Sequence, residues 1–169
     1  LVFPSESSRQ WQPIVITTVD HALFEKKYGT DYSSVNVIHF LALDPEYGNS
    51  ILSSLRAARE NARSVREIIS SEMWEQINRF YIELRDAART DFASRNPHKF
   101  FKIITMRGHM FTGLLYSTMS HSEAFRFALT GLMLERADKT SRILDVKYFM
   151  LLPQGGEVNS PYDSIQWAA

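Results

Sequence analysis

The chain contains no cysteine. That excludes disulfides, thiolate metal sites and a cysteine nucleophile, and it suits a reducing, cytoplasmic setting. An excess of charge of one sign is lacking too: 19 Lys plus Arg balance 19 Asp plus Glu, for a formal net charge of zero. A nucleic-acid binder carries a basic footprint, so no nucleic-acid partner is expected. No apolar run is long enough to span a bilayer and no signal peptide is visible, so no membrane partner is expected. Gly-x-Gly-x-x-Gly, Gly-Lys-Ser/Thr and nucleophile-elbow motifs are all missing. So is metal-ligand spacing. None of His21, His39, His98, His109 and His121 is placed to share a metal with another. No Glu is followed by a His three residues later, as di-iron bundles require, and Glu72-x-x-Glu75 has no histidine partner nearby in sequence. Neither a metal nor a cofactor is expected.

What is present supports a core. Hydrophobic residues make up 44% of 169, and aromatics 12%, enough for one well-packed domain. The expected fold class is all-α, a helical bundle with a long central helix carrying buried charges. Residues 1–10 are polar and read as a disordered or extended segment, and 11–169 read as a single all-helical domain. The chain starts at Leu1 and stops at Ala169 inside a helical pattern, so it looks like a fragment of a longer domain.

Taken in order, Trp11–Thr18 reads as a short helix with Pro13 in its first turn, or as a strand for its β-branched run. Asp20 caps a helix over His21–Tyr28 that Gly29 ends. Asp31 caps Tyr32–Leu43. Asn49 or Ser50 starts a long helix with Ile51, Leu55, Ala58, Ala62, Val65, Ile69 and Met73 on one face. Ser70-Ser71 is the place where it bends or is capped afresh. Trp74, Ile77, Phe80, Tyr81 and Leu84 continue the pattern, with Trp74 as a core anchor. Asn96-Pro97 opens another helix, and His109 on its polar side reads as a hydrogen-bonded structural histidine. Pro153–Gly156 is a breaker, and Ser160-Pro161 caps a last helix.

The central stretch is Phe125–Leu152. Ser120 with Glu123 has the pattern of a capping box. Two sides of this helix are apolar, which places it inside a bundle. One stripe is polar: Glu135, Asp138, Arg142 and Asp145 fall at i, i+3, i+7 and i+10. Gly131, one turn earlier, leaves room for a second backbone. Arg136 emerges among Leu132, Met133 and Ile143. Charges inside a bundle must be paired. On the long middle helix, Arg56, Glu60, Arg63 and Glu67 form an i+4, i+3, i+4 ladder. Arg59 and Arg66 lack a partner on that helix and are expected to meet Glu135, Asp138 or Asp145. The bland reading of this second stripe is a solvated ion-pair face.

Two stretches carry a family resemblance. Arg59-Glu-Asn-Ala-Arg63-Ser-Val-Arg66, followed by Ile69-Ser-Ser-Glu-Met-Trp74-Glu, resembles one signature of the bacterial alpha-E domain family. Leu134-Glu-Arg-Ala-Asp138 through Arg142-Ile-Leu-Asp145-Val-Lys147 resembles the other. The family is all-helical and named for a Glu-Arg motif, matched here by Glu135-Arg136. The resemblance runs from about Trp11 onward; an earlier Glu-Arg helix and later helices usual in the family are missing. Family members resemble partners of ATP-grasp ligases and transglutaminase-like proteins, with which they occur encoded together or fused.

The resemblance implies a binding or scaffold partner of an ATP-grasp type peptide or amide ligase. The alternative is an enzyme acting on an anionic carboxylate or phosphate substrate. In it Glu135 is the acid–base group, and Arg59, Arg63 or Arg136 the oxyanion or phosphate clamp. A third reading is a plain oligomerisation bundle. The charge cluster common to the first two readings is Glu135, Arg136, Asp138, Arg142, Asp145, Arg56, Arg59, Glu60, Arg63 and Arg66. A homo-oligomer is expected, because missing flanking helices would leave apolar surface uncovered.

Overall fold

A computed structural model of the chain describes residues 4–18 and 20–151, with side chains for 11–18 and 20–145. Every regular element among them is helical, as the periodicity requires. The backbone groups into two compact units: 34–131, and 1–33 with 132–169. Each is described in turn.

In the unit formed by both ends of the chain, α1 spans Pro4–Thr17. It starts at Pro4 rather than Trp11, so residues 4–10 are helical rather than extended. Pro4 in the first turn costs no hydrogen bond, because the first N–H groups of a helix have no internal partner, but Pro13, expected in the first turn, lies inside the helix and lacks an N–H there. The β-branched run Ile14–Thr18 therefore ends a helix; helical context overrides strand propensity. Helix α2 is His21–Tyr28, ended by Gly29 at φ 60, a left-handed value that glycine adopts without strain. The Asp20 side chain makes no cap hydrogen bond; its carbonyl accepts from Leu23 and Phe24 N–H. Val15 and Phe24 are fully buried, and Phe24 stacks on Tyr32 with ring centroids 4.8 Å apart. Tyr32 Oη donates to Glu25 at 2.9 Å; burial first, then the adjacent carboxylate, pushes the phenol's pKa up.

The second unit begins with α3, Ser34–Ile38, which widens into a π turn over His39–Leu43. The helix starts two residues later than expected, and Asp31, expected as its cap, instead accepts from Ser33 N–H at 3.1 Å in the turn before it. The wider turn seats Phe40 in the core, stacked on Tyr47 at 4.1 Å. The Asp44 carbonyl then accepts from Ser50 Oγ at 2.6 Å, and Ser50 Oγ accepts from Ser53 N–H, starting α4 at Ile51. The long middle helix is in fact two. Helix α4 stops at Ser64, and α5 runs Ser71–Ala87 with Ser70 as its N-cap, accepting from Met73 N–H at 3.1 Å. The Ser70-Ser71 signal was real, and it marks a full break. Arg66 and Glu67 consequently lie in the connecting turn, and the ladder loses its last rung.

A short α6, Phe92–Arg95, absent from the sequence reading, precedes α7, Pro97–Thr118, with Pro97 in its first turn. Helix α5 packs on both α4 and α7. Buried Gln76 donates to the Arg107 carbonyl at 3.3 Å, and Ser70 Oγ meets Thr118 Oγ1 at 2.7 Å. Met73, Leu115, Met119 and Phe125 close the core between α5, α7 and the start of α8.

Helix α8, Glu123–Leu151, is the longest element at 29 residues. Arg126 N–H bonds the Ser122 carbonyl, which makes Ser122 its first half-helical residue. The Ser120/Glu123 capping box is therefore out of register. Phe125 is buried, but Met133, Leu134, Ile143 and Leu144 are exposed, as are Glu135 and Arg136. The expectation of buried charges on this helix is thus corrected. Two-sided apolar patterning implied burial, yet the sequence alone holds no information on which sides are covered. Nor does Gly131 meet a second backbone: a Cβ there would have nothing within 4 Å. The breaker at Pro153 and the cap at Ser160 lie outside the described residues.

Candidate functional site

Two charged clusters occupy the positions singled out by the sequence. The first is built on α4, the turn after it, and α5. Arg59 leaves α4 beside α5. Its Nε donates to Asn78 Oδ1 at 2.7 Å, and its Nη1 donates to Glu60 Oε1 at 2.8 Å. The guanidinium carbon lies 5.3 Å from the Tyr81 ring centre and 5.7 Å from that of Trp74. Arg66 reaches the same Trp74 ring at 4.9 Å. A weakly hydrated planar cation over a π face is stabilised by the ring quadrupole. The side chain of Arg59 is only 28% exposed, so this cation is held from several directions. Trp74 is half-buried: it is less a core anchor than a platform for two guanidinium groups.

The expected partners of these arginines were the α8 carboxylates. Within its own unit Arg59 takes partners from α5 and its neighbour Glu60, and Arg66 takes Trp74. Arg63 reaches Glu60 at 3.8 Å and is 70% exposed, a solvated rung. Arg56 touches the Pro45 carbonyl at 3.5 Å. The aromatic platform escaped the sequence reading, although the signal was there: Asn78 and Tyr81 sit at i+4 and i+7 from Trp74, on one face of α5.

The second cluster is on α8. Glu135 pairs with Lys139 one turn on, at 3.2 Å, and Lys139 also reaches Asp138 at 3.2 Å. Arg142 Nε donates to both Asp138 oxygens, at 2.9 and 3.1 Å, and Arg142 Nη1 donates to the Thr17 carbonyl at 2.9 Å. Arg142 thereby satisfies an open carbonyl at the end of α1. Its hydrogen bond, followed by those of Lys139, holds the Asp138 carboxyl below its usual pKa. Burial opposes the charge on Lys139, but Glu135 and Asp138 outweigh it and its pKa is raised. The sequence reading sought a cation for Glu135 on another helix and overlooked Lys139, the ordinary i+4 partner. Arg136 and Asp145 are exposed and have no ion pair among the described residues.

Neither cluster assembles three groups fit for a metal: no set of three His, Asp or Glu that might hold one occurs among the described residues. His109 is exposed on α7 with no hydrogen bond among those residues, not a structural histidine. Every ion pair described keeps its side chains at least 24% exposed, so the pairs are surface features.

A family model for a predicted alpha-helical domain with a conserved ER motif, Alpha-E, matches residues 3–169. The chain belongs to the Alpha-E family. The one Glu-Arg dipeptide in the sequence is Glu135-Arg136, whose side chains leave the helix in different directions and do not pair with each other. No curated protein and no solved structure matches it. Among the described residues of this Alpha-E domain, no helix is long and apolar enough to cross a membrane.

Proposed function

We propose that this Alpha-E domain is a binding or scaffold module that works with an ATP-grasp type peptide or amide ligase. The observation that carries the reading is the pairing of satisfied charges with exposed apolar side chains. The Arg59 and Arg142 guanidinium groups are spent on partners within the chain. Met106, Phe127, Leu134 and Ile143, by contrast, are 60 to 70% exposed. Large apolar side chains at the surface are what a protein contact uses. The kinship of Alpha-E domains with partners of ATP-grasp and transglutaminase-like proteins supplies the class of partner. The enzymatic alternative asks Glu135 to act as acid–base, and its exposed pairing with Lys139 supports an ordinary surface role instead. The same apolar side chains favour self-association, to be read by light scattering across a concentration series.

The test is co-expression of the chain with a neighbouring ATP-grasp ligase, followed by size-exclusion chromatography and an ADP-release assay. A stoichiometric complex that changes ligase turnover is the expected result. A ligase that elutes alone and turns over identically would refute the reading.

A further inference from the structure

Helix α7 carries Lys99, Lys102 and Arg107, two histidines and no carboxylate from Pro97 to Thr118. Arg107 is neutralised by a two-pronged contact with Glu83 on α5, Nε donating to Oε2 at 2.9 Å and Nη2 to Oε1. Lys99 and Lys102 have no carboxylate partner among the described residues; Lys99 lies over the Phe92 ring at 5.9 Å. Along the same outward stripe, at helical spacing, lie Ile103, Met106 and Met110, 40, 60 and 49% exposed. They line an open groove of about 870 Å³ along α7 together with the two lysines. Ile103 also lines a second, mainly apolar cavity, about 240 Å³, between α5, α6 and α7, walled by Phe80, Leu84, Phe92, Phe100 and Ile104, with the Arg107-bound Glu83 at its edge. That volume is below the range of small-molecule sites and matches a single large side chain.

These features form one surface: an apolar hole, a methionine-lined groove running from it, and two uncompensated cations beside the groove. Methionine adapts to irregular partners, and an apolar row along one exposed helix face is a seat for the apolar stripe of a second helix. We infer that the α5–α6–α7 face docks an acidic amphipathic helix of a partner protein. One apolar side chain of that helix fills the 240 Å³ cavity, and its carboxylates face Lys99 and Lys102. The charge on α7 selects the sign of the partner, and the cavity selects a protein side chain over a flat lipid surface. This deepens the scaffold reading and rests on it.

The probe is a fluorescein-labelled designed helix of about five turns, with Leu and Trp anchors at i, i+4 and i+7 and flanking glutamates. Its control carries lysine at each glutamate. The acidic helix is expected to bind and to weaken with added salt, while the lysine version binds at least about tenfold less tightly. Lys102→Glu and Lys99→Glu should each cost about tenfold, and Lys26→Glu on α2 nothing. Equal binding of both helices, or no binding of the acidic one at ~1 mM, overturns the proposal. So does binding to phosphatidylserine–phosphatidylcholine vesicles in place of the peptide, or Lys102→Glu abolishing a homodimer in place of peptide binding. A ligase complex that survives Lys102→Glu keeps the scaffold reading and rejects this surface. Peptide binding lost on Lys102→Glu, in a protein that ignores the ligase, does the reverse.

Discussion

Arg59 and Glu135 were placed by the sequence on the two halves of one charge cluster, and they sit in opposite physical settings. Arg59 is less than a third exposed, anchored by an amide and a carboxylate, and lies against two aromatic rings. Glu135 is 65% exposed and has one flexible lysine for a partner. An ion pair in water gains little, because solvent screens it and two long side chains lose freedom. A half-buried guanidinium held by rings and a planar acceptor gains more. The lesson is that a motif's letters do not carry its energy; the neighbours do.

The comparison breaks most visibly at Trp74. Trp74→Ala removes a half-buried ring and two cation contacts, and should destabilise the fold by about 3 kcal/mol in urea unfolding. A loss below about 1 kcal/mol would mean the platform contributes little. Arg59→Met should cost somewhat less, about 1.5–3 kcal/mol, since it leaves Asn78 without its charged donor. A double-mutant cycle between Arg59→Met and Trp74→Leu isolates their contact, with a coupling of about 1 kcal/mol expected. Strict additivity would show that the ring and the cation are merely adjacent. On α8, Glu135→Gln should cost under about 1 kcal/mol and become neutral in high salt. A loss of about 3 kcal/mol or more would instead place Glu135 in a buried pair.

The finest discriminator is the titration of Asp138. Its folded pKa lies below the unfolded one, so its contribution to stability is present above about pH 4 and fades as pH falls through the folded value. Lys139 has the opposite sign: its contribution is present below the unfolded lysine pKa and fades as pH rises through the folded one. Carboxyl-carbon NMR titration of Asp138 should give a value below that of an unstructured peptide, and Arg142→Met should move it upward. An unchanged Asp138 titration in Arg142→Met would mean that the Arg142 contact is not formed in solution.

Much of the helical plan could be read directly. His21–Tyr28 with its glycine stop, the Ser50 and Ser70 caps and the Pro97 start all emerged from local chemistry. They are decided within one helical turn. Failures came where local signals were ambiguous in strength or in partner. Ser70-Ser71 left a bend and a fresh cap both open, and the fresh cap came with a full break. Ser120 offered a capping pattern, and Ser122 took the place instead. On α8 the periodicity correctly predicted one long helix and said nothing about which apolar side would be covered. Phe125 went inside and Leu134 stayed outside, though both match the helical pattern equally well.

The sequence by itself determined that the chain is helical, where half of its described α-helices start, and which family it belongs to. Those properties depend on residues within four positions of each other, or on the literal wording of a motif. Only the tertiary structure decided what each charge does. Arg59 finds Asn78 on the next helix, and Arg142 finds the Thr17 carbonyl 125 positions away in the chain. Such partners are set by how helices lie side by side. A guanidinium bonds whichever acceptor packing brings within about 3 Å, regardless of the partner its own stripe suggests.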